Sequence, residues 1–284
     1  MSESRFVHLN VHSEYAITDS TIRIPQLVET VRAMGMPAVA LTDTNNLFAA
    51  LKFYQAAKKA KVKPIIGADI TVLDPALDIG TFEVTLLCQN RIGYLNLSRI
   101  ISQAQRHSDD RGQVYVEKAF LQSHSEGLIL LADSMVSDLG CLIQQRQLEA
   151  ALEIMLDWRS VWGDRFYVAL SNIERSGESA CHDAALYMAA HQNIPLVASG
   201  RCRFLQPEDF EAHEARVCIN SGHIVADRNR PHHYTEQQYL KTPEQMAQLF
   251  AKFPCLLENT YYIAQRCNFD FDGEEYYLPD FPIP

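Results

Sequence analysis

The chain has 284 residues with 47% apolar, 21% charged and 10% aromatic content, which excludes a tail, a linker or a low-complexity segment. Lys plus Arg number 25 against 35 Asp plus Glu, so the net charge of −10 gives no bulk attraction for nucleic acid. Seven cysteines (Cys88, Cys141, Cys181, Cys202, Cys218, Cys255 and Cys267) are odd in number, widely spaced and without a C-x-x-C pair. That pattern points to reduced thiols in a cytoplasmic protein and away from a zinc ribbon or disulfide framework.

No basic region followed by an apolar run opens the chain, and no segment approaches the roughly 20 apolar residues of a membrane span. The length suits one large domain or two small ones. Short β-rich runs alternate with segments of helical period. Strands are expected at 6–11, 38–41, 64–72, 83–88, 127–132, 166–170 and 196–199, several of them apolar enough to be buried on both faces. Helices are expected between them at 25–34, 46–60, 94–105, 147–162 and 179–191. Pro25 suits a first helical turn, Gly35 a helix end, and Pro37, Pro64 and Pro195 each precede a strand.

Seven such units predict an α/β fold, a distorted βα barrel with a parallel sheet. After Arg203 the pattern changes to helices alone, at 207–219, 243–253 and 256–267, joined by the loop 221–234. The expected organisation is a barrel over 1–204 and a helical extension over 205–284 leading towards further domains.

Working residues of a parallel barrel gather at the C-terminal ends of strands. The first expected strand carries His8, Asn10 and His12 on alternate positions, hence on one face. The second ends in Asp43, Thr44, Asn45 and Asn46, the third in Gly67-Ala68-Asp69, the fifth in Asp133-Ser134, and the seventh in Arg201-Cys202-Arg203.

The segments F-V-H-L-N-V-H-S-E-Y at 6–15, G-M-P-A-V-A-L-T-D at 35–43, L-K-F-Y at 51–54, K-P-I-I-G-A-D at 63–69 and Y-Y-L-P-D-F-P at 276–282 together resemble one family. It is the polymerase and histidinol phosphatase (PHP) domain, in the form carried at the N-terminus of bacterial replicative DNA polymerase III α subunits. The resemblance covers essentially the whole chain. Active members of that family hold a cluster of zinc or manganese ions on an H-x-H, an Asp, a T-D-H, a G-x-E, a Cys or His, and a final D-x-H.

Carried over position by position, this chain keeps His12 and Asp19 and has a shorter carboxylate at Asp69. Asn10 replaces the first His, Thr44 follows Asp43 where the T-D-H has its His, Ser134 replaces the Cys or His, and Arg201 and Arg203 replace the D-x-H. Two guanidiniums, permanently protonated, stand where cations would bind. The expectation is therefore a vestigial, metal-free pocket without catalytic residues, in which Arg201 or Arg203 pairs with Asp19, Asp43 or Asp69. A single ion on His12, Asp19 and Asp69 is the alternative, with zinc or manganese as cofactor only if the site is intact.

Several residues have plainer readings. His8 reads as a hydrogen-bonded strand histidine, Asp43 as a helix cap, and Cys202 as a small strand-end residue. Asp270 and Asp272 form a D-x-D outside any polymerase palm. Arg228, Arg230, His232 and His233 read as a solvated loop, with an interaction surface as the alternative. No phosphate-binding glycine motif is present.

The resemblance implies a parent DNA-directed DNA polymerase using magnesium, none of whose polymerase machinery lies in these residues. It implies a cytoplasmic bacterial scaffold whose partners are its own polymerase domains and the proofreading exonuclease subunit. DNA would then be met through the parent protein, and no membrane is involved. The rival class is an enzyme, a metal-dependent phosphoesterase, pyrophosphatase or 3′-5′ exonuclease at this site. A third reading is phosphate sensing through Arg201 and Arg203.

Overall fold

Residues 5–108, 112–227 and 229–271 are described in a computed structural model, and within them seven strands alternate with ten α-helices. The strands are β1 (Ala38–Leu41), β2 (Lys63–Leu73), β3 (Thr81–Cys88), β4 (Val116–Glu117), β5 (Leu128–Asp133), β6 (Phe166–Ser171) and β7 (Leu196–Ser199). The helices are α1 (Ile24–Ala33), α2 (Ala50–Lys59), α3 (Arg91–Ala104), α4 (Lys118–Ser123), α5 (Asp138–Gln144), α6 (Leu148–Trp162), α7 (Glu178–Gln192), α8 (Phe210–Ser221), α9 (Pro243–Leu249) and α10 (Cys255–Arg266). Pro25 sits in the first turn of α1, and the Asn90 side chain caps α3 by accepting from Gly93 N at 3.1 Å. The elements missed in the sequence, α4, α5 and β4, are too short to present a periodic signal.

The sheet runs β1-β2-β3-β5-β6-β7, with β4 attached to β2. β1 is parallel to β2, and β5, β6 and β7 are parallel to one another, but β3 is antiparallel to both its neighbours. The all-parallel expectation fails there because the connection 74–80 is too short for a crossover, which needs a dozen or more residues.

The expected first strand, 6–11, is not a regular strand, yet it closes the ring. On one side His8 O and Val11 O accept from Ala40 N and Thr42 N, each at 2.9 Å. On the other, Cys202 N donates to Asn10 O at 3.0 Å and His12 N donates to Cys202 O at 3.1 Å. The irregularity shows in the side chains. Val7 and Leu9 enter the apolar cluster inside the ring, Phe6 and Val11 join the outer cluster, and Asn10 and His12 also point inward. Alternation therefore breaks between Leu9 and Asn10.

Two apolar layers follow from this arrangement. Outside the ring, residues such as Phe53, Trp158, Trp162 and Phe166 pack between strands and helices. Inside it, Val7, Leu9, Ile65, Leu87, Ile129, Leu131 and Val197 meet Ile263, Ala264 and Cys267 of α10. That helix lies across the N-terminal ends of the strands: Lys63 Nζ donates to Ala264 O at 2.7 Å, Asn259 Nδ2 to Leu196 O at 2.7 Å, and Val7 N to Thr260 Oγ1 at 3.0 Å. Burying a side chain such as Ile263 contributes about 2 kcal/mol.

Along the barrel axis the interior changes from apolar to polar. On β2 the inward series is Ile65, Gly67, Asp69; on β3 it is Leu87, Thr85, Glu83, with Gly67 opposite Leu87 and Asp69 opposite Thr85. Gly67 is required where it stands, since a Cβ would lie 2.4 Å from Leu86 O. β2 continues to Leu73, so Asp69 is a mid-strand residue rather than the strand end expected from the sequence.

Because the Val7 amide is buried and bonded to Thr260 Oγ1, replacing that hydroxyl leaves an unsatisfied donor. Thr260→Val is expected to lower unfolding stability by about 1–3 kcal/mol in urea titration; an unchanged midpoint would show that α10 does not hold the closing segment.

Candidate functional site

The polar end of the ring is built around Asp69. Its carboxylate receives Asn10 Nδ2 at 2.8 and 2.9 Å, the Thr85 hydroxyl at 2.5 Å and His12 Nε2 at 2.6 Å. His12 Nδ1 turns to Asp19, 2.9 Å from Oδ2, so the imidazole bridges two carboxylates. Arg203 completes the set. Its side chain is 2% exposed, Nε stands 3.2 Å from Asp19 Oδ2, Nη2 stands 3.7 Å from Asp69 Oδ2, and Nη1 donates to Asn10 Oδ1 at 3.1 Å.

Residues brought together here come from five places in the chain: the irregular segment 6–12, the turn after it, β2, β3, and the run after β7. The turn is fixed by Ser20, whose hydroxyl reaches His12 O at 2.7 Å and Arg203 O at 2.9 Å, and by buried His213 of α8, whose Nε2 meets Asp19 O at 3.0 Å.

Other predicted site residues lie outside that core. Asp43 accepts from Ser13 N at 2.6 Å and from the Ser13 hydroxyl at 2.8 Å, and so holds the residue that caps the turn Glu14–Ala16; it does not cap α2 as expected, because that helix starts only at Ala50, and among the described residues no arginine pairs with it. Thr44 takes part through its backbone, as the parallel bridge partner of Asp69. Ser134 is buried with its hydroxyl unpartnered. Arg201 turns away to Glu83, Nη2 to Oε1 at 2.6 Å, and holds a left-handed φ of 42°. Glu83 and Thr85 were missed in the sequence, although two polar residues on alternate positions of an apolar strand were the available signal.

The single-face reading of His8, Asn10 and His12 is corrected. His8 points away, with Nε2 2.8 Å from Lys241 O and Nδ1 3.4 Å from Cys202 Sγ, because of the break in alternation after Leu9. Burial lowers its pKa to about 4 and keeps it neutral. Burial likewise pushes the Cys202 thiol up to about 12, the opposite of an activated nucleophile. In the loop 221–234, Arg230 pairs with buried Glu214 at 2.6 Å, and His232 lies 3.8 Å from the same carboxylate. Arg228 and Asp272 lie outside the described residues. Asp270 pairs with Lys58 at 2.6 Å.

The charges in the core reinforce one another. Burial and the Arg203 charge oppose protonation of His12, but Asp19 and Asp69 outweigh them and raise its pKa to about 9. Burial also opposes ionisation of Asp69, yet the His12 charge and hydrogen bond and then the two arginines bring it to about 2. Asp19 is lowered against burial by His12 and Arg203. An imidazole facing a carboxylate at each nitrogen is satisfied as the doubly protonated cation, which has no lone pair to give a metal. Asn10 presents amide hydrogens to Asp69, and Arg203 places a fixed positive charge between the remaining carboxylates. This donor set does not fit a cluster of divalent ions. Among the described residues no three His, Cys, Asp or Glu side chains are grouped to hold one.

The PHP domain family matches residues 8–172. The chain is 39% identical over 279 residues, 98% of its length, to the DNA polymerase III subunit alpha of Pseudomonas aeruginosa. It is 41% identical over its whole length to that of Xylella fastidiosa and 38% identical over 99% to that of Escherichia coli. The chain spans about a quarter of the length of these relatives. Among solved structures, a Bifidobacterium adolescentis protein described as a metal-dependent phosphoesterase matches 69% of this chain and 86% of its own, with TM-score 0.46 and 11% identity.

A histidine whose folded pKa is raised from 6.5 to about 9 contributes stability that is whole below pH 6.5 and is lost as pH rises through 9. Asp69, lowered to about 2, contributes above its unfolded 3.8 and loses that contribution as pH falls towards 2. The cluster is therefore expected to contribute most between about pH 4 and 6.5, and wild type to lose on the order of 3 kcal/mol relative to His12→Gln between pH 6.5 and 10. Proton NMR should place the His12 titration near 9; a midpoint at or below 6.5 would contradict the bridged imidazolium.

Proposed function

The chain belongs to the PHP domain family, and from that premise we propose that it is a catalytically inactive, metal-free PHP domain serving as a structural scaffold in a bacterial replicative DNA polymerase. The observation that carries this reading is Arg203, buried with its guanidinium against Asp19 and Asp69. A fixed side-chain cation supplies the positive charge there, and the chain holds its own ring together without an exchangeable ion.

On this reading the polymerase chemistry, with its magnesium, resides in other parts of the parent protein. The partners are those polymerase domains and a proofreading exonuclease subunit, and DNA is engaged chiefly through the parent. The site of action is the bacterial cytoplasm. No helix among the described residues is long and apolar enough to cross a membrane. A surface of net charge −10 favours protein contacts over a general grip on DNA.

The phosphoesterase alternative requires a metal-bound hydroxide. The imidazolium of His12 and the amide hydrogens of Asn10 disfavour it, since both act as donors towards Asp69. Phosphate sensing through the two arginines is disfavoured by their partners, because Glu83 engages Arg201 while Asp19 and Asp69 engage Arg203.

A ligand at one hundred times its dissociation constant stabilises a fold by about 2.7 kcal/mol. Thermal melts of the chain with manganese or zinc are therefore expected to coincide with the melt in chelator, and p-nitrophenyl phosphate and pyrophosphate should not be hydrolysed above background. A metal-dependent rise in Tm of several degrees, accompanied by turnover, would overturn the scaffold reading in favour of the phosphoesterase.

A further inference from the structure

We propose that the N-terminal face of the ring binds the phosphodiester backbone of nucleic acid through a lysine patch at Lys58, Lys59, Lys61 and Lys63. This goes beyond the scaffold reading and stands on separate residues, at the opposite end of the barrel from Arg203.

Residues 58–63 read K-K-A-K-V-K and hold four of the chain's eight lysines, with no acidic residue among them. Lys58 and Lys59 end α2, Lys61 lies in the turn, and Lys63 opens β2. Lys58, Lys61 and Lys63 line one surface cleft of about 380 Å³ beside Asn268, Phe269 and Asp270. Among the described residues, three ammonium groups thus share the cleft with one carboxylate, Asp270, which lies 2.6 Å from Lys58. Lys63 is spent on Ala264 O and Asn268 Oδ1, both at 2.7 Å, and holds α10 in place. Lys59 and Lys61 are exposed and make no hydrogen bond or ion pair among the described residues.

Cations at a helix C-terminus complement the helix dipole, which accounts for Lys58 and Lys59. It does not account for Lys61, which stands past the helix end at φ 60°, where glycine or asparagine is the low-cost residue. Nor does it account for Lys63, on the strand. Burial is the main cause of a lowered Lys63 pKa; Cys267 and Asp270 act against it and Lys58 adds to it.

Lysines are point charges on flexible stems, suited to phosphate oxygens and not to reading bases. Without these four, the other residues carry −14, which is −10 minus 4, and so repel a polyanion elsewhere. Screening over about 8 Å at physiological salt lets the patch act independently of that charge. The contact is thus local, sequence-independent and salt-sensitive.

The test is fluorescence anisotropy of the 284-residue chain with a labelled duplex of about 20 base pairs, from 50 to 200 mM salt. Wild type should bind at 50 mM salt with a dissociation constant on the order of 10⁻⁴ M. Lys59→Glu with Lys61→Glu should weaken binding about tenfold or more and reduce the log–log salt slope by about 2. The paired Lys→Gln changes should act in the same direction but less. Arg106→Glu, an exposed change at the far end of the barrel, should leave binding unchanged. Melting curves confirm that each variant is folded. Absence of binding by wild type at 50 mM salt, or equal binding by the double Glu variant, overturns the proposal. Stronger binding of a polyglutamate peptide than of the duplex also overturns it, in favour of an acidic protein partner.

Discussion

The guanidinium of Arg203, held against Asp19 and Asp69 with His12 bridging the same two carboxylates, is the constraint on which the polar end of the ring depends. Two cations face two anions, so the set is electrically neutral as a whole. At 3.2 Å and an effective dielectric near 20, one such pair attracts by about 5 kcal/mol. Removing each ion from water costs several kcal/mol, so the net contribution is small and its sign depends on the hydrogen bonds that accompany the pairing. Asn10 and Thr85 donate to Asp69, Ser20 and His213 hold the neighbouring backbone, and Arg203 Nε, 3.2 Å from Asp19, makes no hydrogen bond among the described residues. Removing one member is therefore far more damaging than the modest net stability of the whole suggests, because it strands a buried charge.

The cluster also connects parts of the chain that the sheet alone does not join. Segment 6–12 lacks a regular strand ladder, and it is seated at the polar end by Asn10 and His12 and at the apolar end by Val7 and α10. Each end fixes one half of the closing piece. On the proposed scaffold reading this rigidity resides in the chain's own side chains, and the lysine that ties α10 to β2 is also part of the basic patch at that end.

Much of this was legible in the residues. The strands 38–41 and 196–199 agree with β1 and β7, since their short apolar runs are bounded by proline and glycine. The convergence of His12, Asp19, Asp69 and Arg203 followed from the resemblance and from charge chemistry, but the choice of Arg203 over Arg201 did not. That choice depends on Glu83, which reaches the interior only because β3 runs antiparallel. The inward reading of His8 failed because no one-dimensional pattern reveals a break in alternation between Leu9 and Asn10. Asp43 read as a base or as the cap of the next helix, and it is neither cap nor arginine partner among the described residues, since both its bonds go to Ser13. The lysine run 58–63 was not singled out in the sequence, because its meaning requires knowing that α2, the turn and β2 bring it to one cleft.

The most direct measurement is a double-mutant cycle on the paired residues, using Arg203→Met, Asp19→Asn and the combination, with unfolding free energies from urea titration at pH 6. If Arg203 is the internal cation of the site, the two changes should be strongly non-additive, with a coupling energy of about 1–3 kcal/mol. Additivity within about 0.3 kcal/mol would mean that Arg203 and Asp19 do not act as a pair, and would contradict the central claim.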